Sequence, residues 1–263
     1  MPVQKSAAKT PSGQVQSLAR GLNILKTLAN ADHALTLSEV CDEVFLASST
    51  AHRLLSSLEQ QGFVVQDEQR GRWSIGVEAF SVGNGYLKTR DVVAIARPFM
   101  RQLMETTGET CNLGIVEQST SVLIAQIECK ELMRMVAKLG GRTPLHVSGV
   151  GKAIVSHWPQ QAIEDLLNSY QFTQLTKHTL TSKLAFIEHL TACKTQGYSL
   201  DNEEQSEGLR CIAAPIFNEH GEAIAAVSIS GPRLRVTDKR IESLAQTVCD
   251  TAQQITIAMS GQS

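Results

Sequence analysis

Several things are missing from this 263-residue chain, and each absence closes off a class of function. No apolar run approaches the ~20 residues needed to cross a bilayer. The opening stretch, MPVQKSAAKTPSGQVQ, has no apolar h-region and so does not read as a secretory signal. A cytoplasmic protein with no membrane partner is expected. The six cysteines (Cys41, Cys111, Cys129, Cys193, Cys211 and Cys249) are scattered, with no CxxC pair and no Cys/His spacing suited to zinc. Free thiols are expected, with no disulfide, metal or other cofactor.

Charge of one sign is also lacking. The net charge is −2, and residues 1–75 hold seven Lys and Arg against seven Asp and Glu. That balance counts mildly against nucleic-acid binding. It does not exclude it, because only the face presented to phosphate needs to be positive. No internal repeat and no low-complexity segment is found.

Two catalytic motifs fail on inspection. Ser148-Gly149-Val150-Gly151-Lys152 looks like half a Walker A loop. His146 stands where the first glycine should be, and Ala153 where the Mg²⁺-binding hydroxyl should be. Ser148 is not in a G-x-S-x-G elbow either. An enzyme acting on a small acid through Cys211 or Ser148 stays a second reading without a local signature. What remains of the glycine-rich turn fits two roles equally. It is a tight turn required for packing, or a set of amides at a helix start facing a small anion.

What is present has a clear order. Residues 1–16 read as a flexible tail. Leu18, Leu22, Leu25 and Leu28 share one helical face, with Ser17 placed as N-cap. Thr36-Leu37-Ser38-Glu39 is a capping-box sequence that opens a second helix. Ser48 is placed to cap a third, whose inward residues are Ala51, Leu54, Leu55 and Leu58. Gly62 suits the stop. The period then changes to two, with Phe63–Gln66 and Arg72–Ile75 flanking a turn at 67–71.

Three helices and a hairpin make the plan of a winged helix-turn-helix over residues 17–76. Ser49, Thr50, His52 and Arg53 fall on the outer side of the third helix near its start, where such a helix meets base edges and phosphates. Alone, that pattern also fits a capped surface helix. The Arg70-Gly71-Arg72 tip tilts the reading towards double-stranded DNA.

Residues 77–107 read as linker helices broken near Gly83 and Gly85, with Asp91 capping the second piece and Pro98 inside it. Residues 108–260 mix strands (112–116, 122–126, 209–217 and 224–230) with helices (149–157, 160–168, 183–196 and 238–259). A hairpin at 218–221 points to an antiparallel sheet of α+β type. The acidic run Asp201-Asn202-Glu203-Glu204 reads first as a solvated loop, or else places Asp201 against a ligand hydroxyl.

These residues carry a resemblance. QVQSLARGLNIL (14–25), SSTAHRLLSSLEQQGF (48–63), LMRM (132–135), PLHVSGVGKA (144–153), DNEE (201–204), GLRCIAAPIF (208–217) and SISGP (228–232), in that order, resemble the IclR family of bacterial regulators. The resemblance implies a winged helix-turn-helix, a linker helix and a GAF-like effector domain with an antiparallel sheet. It further implies a dimer or dimer of dimers on a palindromic operator, repression, activation or both, and release by a small carboxylate such as glyoxylate or pyruvate. By motif, the implied effector residues are Leu132, Met135, Gly149, Val150, Asp201, Leu209, Cys211, Ser228 and Ser230. Val150 and Thr143 stand where near members of the family look to have alanine and leucine, so the implied pocket is smaller and more polar.

Overall fold

The computed structural model describes residues 15–67, 70–88 and 92–260. The expected tail up to residue 14, the turn residues 68–69 and the Asp91 cap lie outside them. The chain divides into two compact units, residues 1–89 and 90–263.

The first unit packs three helices, α1 (Gln16–Asn30), α2 (Leu37–Val44) and α3 (Ser48–Gln60), against a small sheet. Its strands β1 (Leu35–Thr36), β2 (Val64–Asp67) and β3 (Arg72–Ile75) run in the order β1-β3-β2. Helical periodicity delivers Ile24, Leu28, Val40, Val44 and Leu55 to one core, which closes over Trp73. The capping box forms: the Glu39 amide donates to Thr36 Oγ1 at 3.3 Å, and the Thr36 amide donates to Glu39 Oε2 at 2.7 Å. The two serine caps do not. α1 is preceded by Val15 and α3 by Ala47, neither with a side-chain cap bond, because each helix begins early enough to take the serine into its first turn. Gly62 takes φ +74°, and a Cβ on Gly76 would strike the Gly62 carbonyl, so the base of the hairpin needs glycine on both sides.

Helix α4 (Val77–Lys88) runs unbroken through Gly83 and Gly85, where a break was expected. Two helical glycines cost about 1 kcal/mol each relative to alanine, too little to end a helix.

The second unit begins with α5 (Val92–Thr107), which buries Val92, Ala96, Met100 and Leu103 despite the internal Pro98. It contains a six-stranded antiparallel sheet: β4 (Thr110–Glu117), β5 (Thr120–Ile127), β6 (Arg142–Pro144), β7 (Ser199–Asn202), β8 (Leu209–Phe217) and β9 (Ala223–Pro232), in the order β6-β5-β4-β9-β8-β7. β6 and β7 were not foreseen. α5 and α9 (Asp238–Ser260) pack on one face, and α6 (Gly149–Val155) on the other. α7 (Gln160–Leu167) and α8 (Lys183–Gln196) build a satellite core with Leu145, Val155, Ile163, Phe186 and Leu190.

Strand alternation sorts the side chains. Cys111, Ile212 and Ile229 form one cross-strand row, and Leu113, Ala214 and Val227 another, both towards α5 and α9. The opposite face carries Asp201, Cys211, Ser230 and Thr110 in one row, and Ser199, Ala213, Ser228, Asn112 and Gln126 in the next. A polar floor therefore lies beneath α6.

The acidic run is not a solvated loop. Asp201 belongs to β7 and is buried, as are Glu203 and Glu204. Each glutamate has a cation: Arg233 for Glu203 and Lys152 for Glu204. Nothing in the local spacing announces partners that lie 30 and 52 residues away.

Candidate functional site

Where the polar floor meets α6, the second unit holds a cavity of about 230 Å³. Its floor is Asn112, Cys211, Ser228 and Ser230, and its walls include Gly149, Val150 and Leu209. The segment 128–141, joining β5 to β6, crosses it as a strap that contributes Met135 and Lys138. Arg235 ties the strap down by donating to the Met133 carbonyl at 3.0 Å while gripping buried Glu109 with two bonds of 2.7 Å.

The first turn of α6 approaches the sheet as closely as glycine allows. A Cβ on Gly149 would lie 2.9 Å from Cys211 Sγ, and one on Gly114 2.9 Å from Val150 Cγ1. Ser148 caps the helix by accepting from the Gly151 amide at 3.0 Å, and Ser121 donates to the same oxygen at 2.7 Å. Both hydroxyls line the cavity.

Lys152 does not face this space. Its ammonium is wholly buried behind the helix, where it donates to the Leu200 carbonyl at 2.7 Å and pairs with Glu204. The glycine-rich turn packs closely on the sheet and lines the cavity with Gly149 and Val150, while its lysine is directed at an internal carboxylate.

A directed chain of hydrogen bonds ends on the floor. Gln126 Nε2 donates to Asn112 Oδ1 at 2.7 Å, and Asn112 Nδ2 donates to Ser230 Oγ at 3.1 Å. Ser230 accepts from Asn112, and its own hydroxyl is bonded to the Cys211 sulfur on the neighbouring strand.

Of the residues implied by resemblance, Met135, Gly149, Val150, Leu209, Cys211, Ser228 and Ser230 line the cavity. So does Thr143. Leu132 does not; it sits on the outer side of the strap, 99% exposed. Asp201 is buried beside the lining residues Cys211, its cross-strand partner, and Gln205, whose amide donates to it. Asp201 Oδ1 accepts from the Glu204 amide at 2.8 Å, whereas Oδ2 finds no donor among the described residues. Burial pushes this carboxyl up to about 7, against the opposing pull of Lys152.

Sequence reasoning missed Asn112, Gln126, Ser121, Lys138, Arg142 and Gln205 as parts of this region. A polar Asn112 between Cys111 and Leu113 in a mostly apolar strand was an available signal.

The nucleophile reading fails on its chemistry. The Cys211 thiol is pushed up to about 11 by burial and the nearby Asp201 carboxylate, so it carries almost no thiolate at neutral pH. Ser148 is bonded to Ser121 and the Gly151 amide, with no histidine among its described partners to take its proton.

In the first unit, Ser49, His52 and Arg53 stand exposed on α3 and Thr50 half-buried. Arg70 is exposed at the hairpin tip. Arg72 instead turns inward. Its guanidinium donates to the Ala34 carbonyl at 2.7 Å and meets Glu39 at 3.5 Å, bracing β1 and α2 against β3. Among the described residues no cluster could hold a metal ion, and no helix is long and apolar enough to cross a membrane.

Comparison with known proteins joins the two units. Residues 17–68 match the IclR helix-turn-helix domain, and residues 84–257 match the bacterial transcriptional regulator IclR C-terminal domain. The chain is 42% identical over 262 residues to the acetate operon repressor of Salmonella typhimurium, covering 98% of this chain and 96% of that one. It is 42% identical over 257 residues to the transcriptional repressor IclR of Escherichia coli, covering 97% and 94%. The crystal structure of the Thermotoga maritima IclR superposes with a TM-score of 0.80 at 26% identity, covering 94% of this chain and 99% of that one. A helix-turn-helix unit, an antiparallel-sheet unit and these matches along nearly the whole length make this chain a transcription regulator of the IclR family.

Proposed function

We propose that the chain is a transcriptional repressor whose hold on its operator is set by a small carboxylate, such as glyoxylate or pyruvate, in the cavity of the second unit. Relatives 42% identical across almost the full length are named repressors, one of them of the acetate operon. The observation that carries the ligand half is an enclosed cavity of about 230 Å³ with the hydroxyls of Ser228 and Ser230 on its floor, Ser230 being oriented by the Gln126–Asn112 pair. Hydroxyls enclosed with apolar Leu209, Val150 and Met135 suit an anionic or carbonyl oxygen on a short carbon skeleton. On the DNA side, Arg53, His52 and Ser49 offer exposed donors on one face of α3, with Arg70 on the hairpin. The protein would act as a dimer or dimer of dimers on a two-fold operator.

The test is a titration of the upstream DNA of its own gene at two salt concentrations, with and without each acid. Affinity should fall steeply with salt and change with one of the acids. By linkage, DNA should change the affinity for that acid by the same factor. Arg53→Ala should weaken specific binding by about 1–3 kcal/mol if it reads a base, or weaken all sequences evenly and flatten the salt slope if it holds phosphate. Acid binding that leaves operator affinity unchanged would break the proposed coupling.

A further inference from the structure

The turn between α2 and α3 holds a side chain that the first unit does not use. Val44 is buried before it and Leu46 packs on the same core after it, so the residue between them, Phe45, is turned outward. Its ring is 92% exposed, more than any other large apolar side chain of that unit among the described residues. Its backbone is left-handed, at φ 53° and ψ 47°. The conformation is held in place: the amides of Phe45 and Leu46 both donate to the Cys41 carbonyl and close the end of α2. Glycine or asparagine would fill this position at little steric cost, whereas phenylalanine meets that cost and buries nothing in return. A bulky residue kept in such a conformation points to a function.

Its surroundings select the partner. Phe45 precedes the first residue of α3 by three positions, which puts the two within about 10 Å. From Phe45 to Leu58 the chain has no Asp or Glu. The two acids just before, Asp42 and Glu43, line a separate groove with Thr27 and Ala31 of the α1 end. The next exposed residues, Ala47, Ser48 and Ser49, are small and uncharged. A lone ring among them is not the contiguous apolar patch that marks a protein interface, and the acid-free stretch admits a polyanion.

We propose that Phe45 is a specificity residue for the operator, laying its ring against a thymine methyl at the edge of the major groove that α3 enters. This rests on the DNA reading of α3, and adds an apolar contact to the polar ones of Ser49, His52 and Arg53. A helix about 10–12 Å across fills a groove about 12 Å wide, so a side chain just before its start stands at the lip of the groove. Thymine is the base that shows a methyl group there.

The experiment is a binding titration of the full-length protein, Phe45→Gly and Phe45→Asn on the upstream DNA of its own gene. It is repeated on copies of the footprinted site in which each thymine in turn is deoxyuridine. Both replacements suit the left-handed turn, so both variants should melt no lower than the unaltered protein. Each should bind the site about four- to tenfold more weakly, with an unchanged salt slope because no charge is lost. Removing one particular methyl should weaken the unaltered protein about fourfold and leave the variants unaffected. Variants that bind as tightly as the unaltered protein overturn the proposal. So does a loss that persists undiminished on every deoxyuridine copy, because the ring then meets something other than a thymine methyl. Absence of specific binding by the unaltered protein overturns the DNA reading itself, and this inference with it.

Discussion

The two units handle polar side chains in opposite ways. In the first, the groups we propose to meet DNA are exposed: Ser49, His52, Arg53 and Arg70 stand in solvent, and the structure beneath them is held by local contacts and a small core around Trp73. In the second, the polar groups are buried and bonded to one another across large stretches of chain, as with Lys152 to Glu204 and Asn112 to Ser230. The difference suits the two kinds of recognition. Long cationic side chains reach a phosphate backbone best from the surface, where salt and water let them exchange partners. A small ligand is distinguished by unpaired polar atoms held rigidly out of water, where every unmet hydrogen bond costs about 1–3 kcal/mol.

The contrast can be broken most forcefully at Lys152. Lys152→Met should leave Glu204 buried without its cation and cost the second unit about 3–5 kcal/mol, whereas adding Glu204→Leu should restore much of the loss. Thermal and urea melts of the single and double variants would show it. Equal melting of the single variant and the unaltered protein would mean that Glu204 simply takes a proton.

Asp201 sharpens the comparison through pH. Its carboxyl stands near 3.8 when unfolded and about 7 when folded. Between those values the folded state holds a proton that the unfolded state has lost, so its contribution to stability falls as pH rises from about 4 to 7 and then levels off. Asp201→Asn removes that dependence. The stability of the variant relative to the unaltered protein should therefore rise by up to about 4 kcal/mol between pH 4 and pH 8. A difference that stays flat with pH would place the titration elsewhere.

The smallest effect is expected in the first unit. Thr36→Ala removes both part-buried hydrogen bonds of the capping hydroxyl, from the Glu39 amide and to the Glu39 carboxylate, and should cost about 1 kcal/mol, seen as a small drop in the melting of that unit alone. A loss as large as that for Lys152 would mean that the first unit, too, depends on buried polar contacts.

How much was legible follows the same divide. The Thr36–Glu39 box, the stripe of α3 and the glycine at 62 were readable because each depends on residues a few positions apart. The serine caps were misplaced by a position or two, since a helix start is settled by small energy differences. In the second unit the strands 209–217 and 224–230 and the alternation of Ser228 with Ser230 were visible. The strap was seen only as the motif LMRM, which did not separate Met135 inside from Leu132 outside. Asp201 looked solvated because acidic runs usually are, and its edge strand has only four residues.

By itself the sequence determined the division of labour: a helical reading head, an antiparallel-sheet domain, and a set of glycines, serines and a thiol from which a pocket is made. Periodicity and short-range capping act within a few residues, and so survive in the string of letters. Only the tertiary structure decided which polar groups are satisfied and which are left unpaired. That choice depends on sheet register, which puts Asn112 on Ser230 across 118 positions and Asp201 beside Cys211, and on burial, which makes the charged form of an incompletely bonded carboxyl costly and lifts Asp201 above the usual carboxylate range.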